Sequence, residues 1–117
     1  MASVVSSVRN RFEILRKIGF VDITGTYSGV GSPFANPVRS MKFVNETDVT
    51  IYVSLNGIDD HDVIPGNSYS LYDVCANKSD AAGFLEQPQG DRVYAKAKSG
   101  LPTVGDFSVV ATYASHV

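Results

Sequence analysis

Val49-Thr50-Ile51-Tyr52-Val53-Ser54-Leu55 alternates apolar and polar side chains without a break. Val49, Ile51, Val53 and Leu55 fall on one side, and Thr50, Tyr52 and Ser54 on the other. A period of two is that of a β-strand with one buried face. Asn56-Gly57 follows, a pair suited to a tight turn that needs positive φ. Asn45-Glu46-Thr47-Asp48 precedes the strand as a polar turn, in which Asn and Asp can hydrogen-bond their own backbone.

The same period recurs outward in both directions. Phe20 to Tyr27 reads as a strand with Val21, Ile23 and Tyr27 on one side. Residues 28–37, rich in Gly and Pro, read as a long loop. Arg39 to Asn45 and Ser68 to Cys75 read as strands, with Pro65-Gly66 as a type II turn before the second. Residues 76–91 are a polar connection interrupted by Phe84 and Leu85. Arg92 to Ala97 is a short strand, and Gly100, Pro102 and Gly105 mark another turn. Phe107 to Tyr113 closes the series with Phe107, Val109, Ala111 and Tyr113 on one face. About six short strands with no helical crossover predict an all-β fold, an antiparallel β-sandwich or small barrel.

The N-terminal segment has a different pattern. Val4, Val8, Phe12, Leu15 and Ile18 recur at spacings of three and four, which predicts an amphipathic helix with Ser3 as N-cap and Gly19 as its stop. The β-branched Val4, Val5 and Val8 support an extended arm instead. The division expected is therefore an arm over residues 1–19 and a β-sandwich domain over 20–117. Charge follows the same division. Of ten basic and twelve acidic residues, the first seventeen hold four basic and one acidic (+3), which leaves six and eleven (−5) for the rest. A cationic arm on an anionic body suits head-to-tail docking between copies.

The 117 residues, 44% hydrophobic and 19% charged, suffice for one core and are too few for two comfortable domains. A net charge of −2 lacks the basic excess of a nucleic-acid binder. Cys75, the single cysteine, excludes an intrachain disulfide and reads as a small buried hydrophobe. The start of the chain lacks the pattern of a secretion signal, and no apolar run has the length of a membrane span. The triplets Asn45-Glu46-Thr47 and Asn77-Lys78-Ser79 accordingly read as turns rather than glycosylation sites.

Catalytic patterns are lacking, and no enzyme activity, catalytic residue or cofactor is expected. Asp59-Asp60-His61-Asp62 is the densest polar cluster. Its carboxylates Asp59, Asp60 and Asp62 are weak candidates for a cation, because the spacing is not that of an EF-hand loop. His61 has no evident nucleophile partner, and His116 is penultimate. Gly29-Val30-Gly31 has no helix after it to receive a phosphate. Tyr52, Tyr69, Tyr72, Tyr94 and Tyr113 all fall on expected strands, where they can fill a core, an interface or a stacking face.

The stretch Val38 to Val74 carries an Asn-x-Thr-Asp turn before a β-branched strand, a Ser-x-x-Gly hairpin at Ser54 to Gly57, and a Pro-Gly turn leading to Leu71-Tyr72-Asp73. With Asp91 to Lys96, Pro102 to Gly105 and a last strand ending in Tyr113-Ala114, it resembles small β-sandwich virion proteins of tailed bacteriophages over residues 20–114. The resemblance implies a structural part: a homo-oligomeric ring at the head–tail neck, collar or tail, made in the host cytoplasm and located in the virion. A capsid decoration protein is the alternative, and a glycan- or cation-binding β-module is the alternative of another class. The partners implied are copies of the chain and other virion proteins (portal, adaptor, tail or capsid), without membrane, and with nucleic acid only by proximity. The contact residues expected are Val4, Val8, Phe12, Leu15, Arg9, Arg11 and Arg16 on the arm, with Phe34 and Phe84 in the loops.

Overall fold

The computed structural model describes residues 8–73 and 87–116. Among these residues nine strands and one 3₁₀ turn follow in order: β1 (Val8–Phe12), β2 (Arg16–Gly19), the 3₁₀ turn Phe20–Asp22, β3 (Ser28–Gly29), β4 (Val38–Asn45), β5 (Ile51–Ser54), β6 (Asp62–Ile64), β7 (Ser68–Asp73), β8 (Tyr94–Ala97) and β9 (Asp106–His116). They form two antiparallel sheets. The first has the order β1-β9-β4-β7, with β2 also on β9; the second has the order β3-β8-β5-β6. The all-β sandwich expected from the alternating segments is present. Val4, Cys75, Asn77 and Phe84 lie outside the described residues.

The core lies between the sheets. Ile18, Met41, Phe43, Phe107, Val109 and Ala111 enter from the first; Ile51, Val53, Ile64, Ala95 and Ala97 enter from the second. Each set alternates along its strand with polar or half-exposed neighbours, as a one-sided strand requires. Phe43 sits at the centre, its ring 6.3 Å from Phe107 and 5.5 Å from Tyr72.

The N-terminal helix is not formed. Residues 8–19 are extended and run along β9: Val8 to Phe12 pair with His116 to Thr112, and Arg16 to Gly19 pair with Val109 to Asp106. Phe12 faces Thr112 and Arg16 faces Val109, so three residues of the edge oppose two of β9. One extra residue is a bulge. The helical reading fails because β9, eleven residues long, offers a continuous row of backbone partners. Satisfying those groups outweighs a short amphipathic pattern. The expected apolar face is consequently split: Ile18 is buried, while Phe12 and Leu15 are exposed.

A second bulge sits in β4. Val38 pairs with Tyr113 and Ser40 with Thr112, which leaves Arg39 as the extra residue. It lets Val38 and Met41, three apart, both point inward. Phe20 to Tyr27, expected as a strand, is a 3₁₀ turn followed by irregular chain, with Ile23 plugged into the core. Phe20 N–H donates to Gly105 O at 3.0 Å, which turns this segment away from the sheet edge. The hairpin turn at Asn56-Gly57 has its positive φ at Gly57 (76°). At the Pro65-Gly66 turn the left-handed residue is Asn67 (φ 58°), a conformation that Asn tolerates.

Candidate functional site

The two sides of the sandwich are closed differently. On the β2 side, the bulge turns Glu13 and Arg16 inward together, although residues three apart on a regular strand would face opposite ways. Both side chains are 2% exposed, and Arg16 Nη2 meets Glu13 Oε1 at 2.9 Å. Arg16 also donates from Nε to Ser32 O (2.6 Å), from Nη1 to Ile14 O (2.9 Å) and from Nη2 to Pro33 O (2.9 Å). Its guanidinium lies 5.1 Å from the centre of the Phe34 ring. Glu13 accepts from Ala35 N–H (3.2 Å) and from Asn36 Nδ2 (2.5 Å). Burial acts to raise the Glu13 pKa, but the bonds from Asn36, Ala35 and Arg16 outweigh it and hold the carboxyl below its ordinary value. The result is a latch that pins the N-terminal edge to the Gly/Pro-rich loop. Arg16 and Phe34, expected to contact a neighbouring subunit, are instead buried within the chain.

At the opposite side β7 lies over β6, and little joins them. Tyr72 Oη donates to Asp62 Oδ2 across the gap. Burial and the neighbouring Asp62 carboxylate push the Tyr72 phenol up to about 12. Behind this bridge a cavity of about 210 Å³ opens between the sheets. Met41, Phe43, Val53 and Leu55 supply its apolar walls, and His61 and Asp62 stand with Tyr72 at its rim. His61 Nδ1 accepts from Leu55 N–H (3.0 Å), which places the proton of the neutral ring on Nε2.

The loop that carries this rim is held from within. Ser54 Oγ accepts from Gly57 N–H (2.9 Å), and Asn56 Oδ1 accepts from Ile58 and Asp59 N–H (2.8 and 2.9 Å). Its three aspartates do not converge. Asp59 accepts from Asn56 Nδ2. Asp60 accepts from Tyr27 Oη and lies 3.4 Å from Lys96 Nζ, and Asp62 turns to Val63 N–H and Tyr72. The Tyr27 hydroxyl, with Lys96, holds the Asp60 carboxyl below its ordinary value. Among the described residues no three His, Cys, Asp or Glu side chains are grouped so as to hold a metal, and Asp59, Asp60 and Asp62 each turn to separate partners. Sequence reasoning missed the cavity because its lining is drawn from β4, β5, β6 and β7, and only His61 and Asp62 of it are adjacent in the chain.

Exposed apolar side chains line both edges of the first sheet, and others stand singly on loops and on the second sheet, among them Val21, Ile58, Val63, Leu101 and Val104. Phe12 is 70% exposed, Ile14 73% and Leu15 57% along one edge; Tyr69 and Leu71 are each 66% exposed on β7 at the other. Arg9, Arg11 and Lys17 are exposed beside Phe12 and Leu15. The structure thus leaves Phe12, Leu15, Arg9 and Arg11 of the expected contact residues at the surface. No protein-family model matches the chain, and no curated protein matches it.

Proposed function

We propose that the chain is a structural subunit that acts by assembling with copies of itself, as a homo-oligomeric ring in the neck, collar or tail of a tailed-phage virion. The observation that carries the self-assembly is the apolar surface on both edge strands of one sheet. An uncovered strand edge offers unpaired N–H and C=O groups, and an apolar edge favours their pairing with another chain. The virion setting rests on the turn and strand signatures of Val38 to Val74. The absence from this reading of any chemical step accords with side chains that are engaged with one another: Glu13 with Arg16, Asp60 with Tyr27 and Lys96, and Asp62 with Tyr72.

Light scattering of the purified chain over a range of concentrations tests it. The expected result is a discrete oligomer whose fraction grows with concentration. A monomer at every concentration would remove the ring and favour a decoration protein that binds only an assembled shell.

A further inference from the structure

We infer that two copies pair through β7, antiparallel about a two-fold axis at Ser70, so that their first sheets run on as β1-β9-β4-β7-β7-β4-β9-β1. The inference rests on the self-assembly reading and names its contact. Of the four strands that end the two sheets, three are blunted. β3 has two residues and β6 three, too short to template another chain. β1 carries Arg9 and Arg11 and gives way to the bulge after Phe12, and both features discourage edge pairing. β7 has six residues, Ser-Tyr-Ser-Leu-Tyr-Asp, with no Gly, Pro, Lys or Arg. It pairs with β4 in unbroken register and, among the described residues, with no other strand.

The register fixes what β7 offers. Glu46 N–H donates to Asp106 O (2.9 Å), one step beyond the partners Asn45 and Phe107. Bonded and non-bonded pairs alternate along an antiparallel ladder. Lys42 and Val44 therefore bond to β9, while Met41, Phe43 and Asn45 turn their backbone groups to Tyr72, Ser70 and Ser68. The N–H and C=O groups of Tyr69, Leu71 and Asp73 are left pointing away from β4. The side chains of Tyr69 and Leu71, each 66% exposed, lie on the outer face of the sheet.

A two-fold axis at Ser70 matches this edge with itself. Tyr69 of each copy exchanges two backbone hydrogen bonds with Leu71 of the other, and the two side chains pack across the seam. Asp73, the one charge of the strand, stands opposite Asn67, so no like charges face each other. The β1 edge lacks this property: a two-fold axis at Asn10 sets Arg9 against Arg11, and like charges directly opposite are unfavourable. The pairing surface is thus isologous and self-complementary in charge. Its strand is only about 20 Å long, so the pair is reversible and grows with concentration.

Sedimentation velocity on the full chain, from micromolar to near-millimolar concentration, reads the pairing. Leu71→Lys, at an exposed position, keeps the wild-type melting temperature and weakens association about tenfold or more, as for an interface anchor. Ser70→Cys combined with Cys75→Ser leaves one thiol per chain. The two Ser70 positions face each other as a non-hydrogen-bonded pair, with Cα atoms about 4.5 Å apart, within reach of a disulfide. Mild oxidation links this variant into a covalent dimer, faster than it links Asn10→Cys in the same background, whose thiol lies on the other edge. Wild-type association that Leu71→Lys leaves unchanged would overturn the inference and leave self-assembly standing. So would a link at Ser70 no faster than that at Asn10. A wild-type chain that never associates would remove both readings.

Discussion

Arg16 is the residue on which the N-terminal edge depends. A buried ion pair is neutral to stability only while both partners remain, because the desolvation of each charge is offset by the other and by the carbonyls around it. Here the guanidinium meets four acceptors, and the carboxylate three donor groups. Arg16→Ala strands Glu13 in the interior and is expected to cost about 3–5 kcal/mol, measured by urea denaturation. Glu13→Gln keeps an acceptor toward Arg16 and costs less at neutral pH. Its second effect is on the acid limb. The folded-state pKa of Glu13 lies below the ordinary 4.5, so the unfolded chain binds the proton first as pH falls. The stability contributed by the carboxylate is complete above that value and is lost as pH drops through the folded pKa. The acid limb of a stability–pH curve is therefore flatter in Glu13→Gln than in the wild-type chain. A parallel acid limb in the two would show that Glu13 is not the titrating group.

The strands are held in place at their corners. Asn45, fully buried at the end of β4, donates from Nδ2 to Val49 O (2.9 Å), Ile64 O (2.9 Å) and Pro65 O (3.1 Å), and its Oδ1 accepts from Thr47 N–H (3.0 Å) and Oγ1 (2.7 Å). One amide thus ties the crossover from β4 to β5 to the turn between β6 and β7, and so joins the two sheets. Asn45→Asp sets a carboxylate oxygen against three carbonyls and is expected to destabilise by at least about 3 kcal/mol at neutral pH, read from the denaturant midpoint. The Asx turn was legible because Asn at that position bonds its own backbone; the reach of Nδ2 to Ile64 and Pro65 was not, since nothing local in the chain reports it. The same limit explains the strands. β4, β5, β8 and β9 were readable because each buries one face, which stamps a period of two on the sequence. β6 is three residues long and opens on Asp62, too short for any period. The N-terminal edge was misread because Phe12, Leu15 and Ile18, three apart, carry a helix period although only Ile18 is buried.

At the scale of the whole molecule, the edge strands and the core are one unit. β2 contributes Ile18 to the interior, and the latch at Glu13 and Arg16 closes one side of the sandwich, while the other side has the Tyr72–Asp62 bridge over a cavity. A detachable arm would be removable without cost to the fold. Residues 8–19 are not detachable in that sense. Deleting residues 2–18 takes away the backbone partners of β9 from Phe107 to Val109 and from Thr112 to His116. It also uncovers Phe107 and Val109, both fully buried, and leaves the loop around Phe34 without the guanidinium it packs on. Each lost contact alone costs on the order of 1–3 kcal/mol, and a domain of this size has about 5–15 kcal/mol in all. The truncated chain is therefore expected to lose cooperative unfolding, seen as a broad, shallow thermal transition in place of a sharp one. A truncated chain that unfolds as sharply and at the same temperature as the full one would mean that β9 does not need its edge partner, and that the N-terminal segment serves assembly alone. Within one segment the side chains divide by face: the inward residues Glu13, Arg16 and Ile18 hold the fold, and Phe12, Ile14 and Leu15 stay at the surface and add little to it.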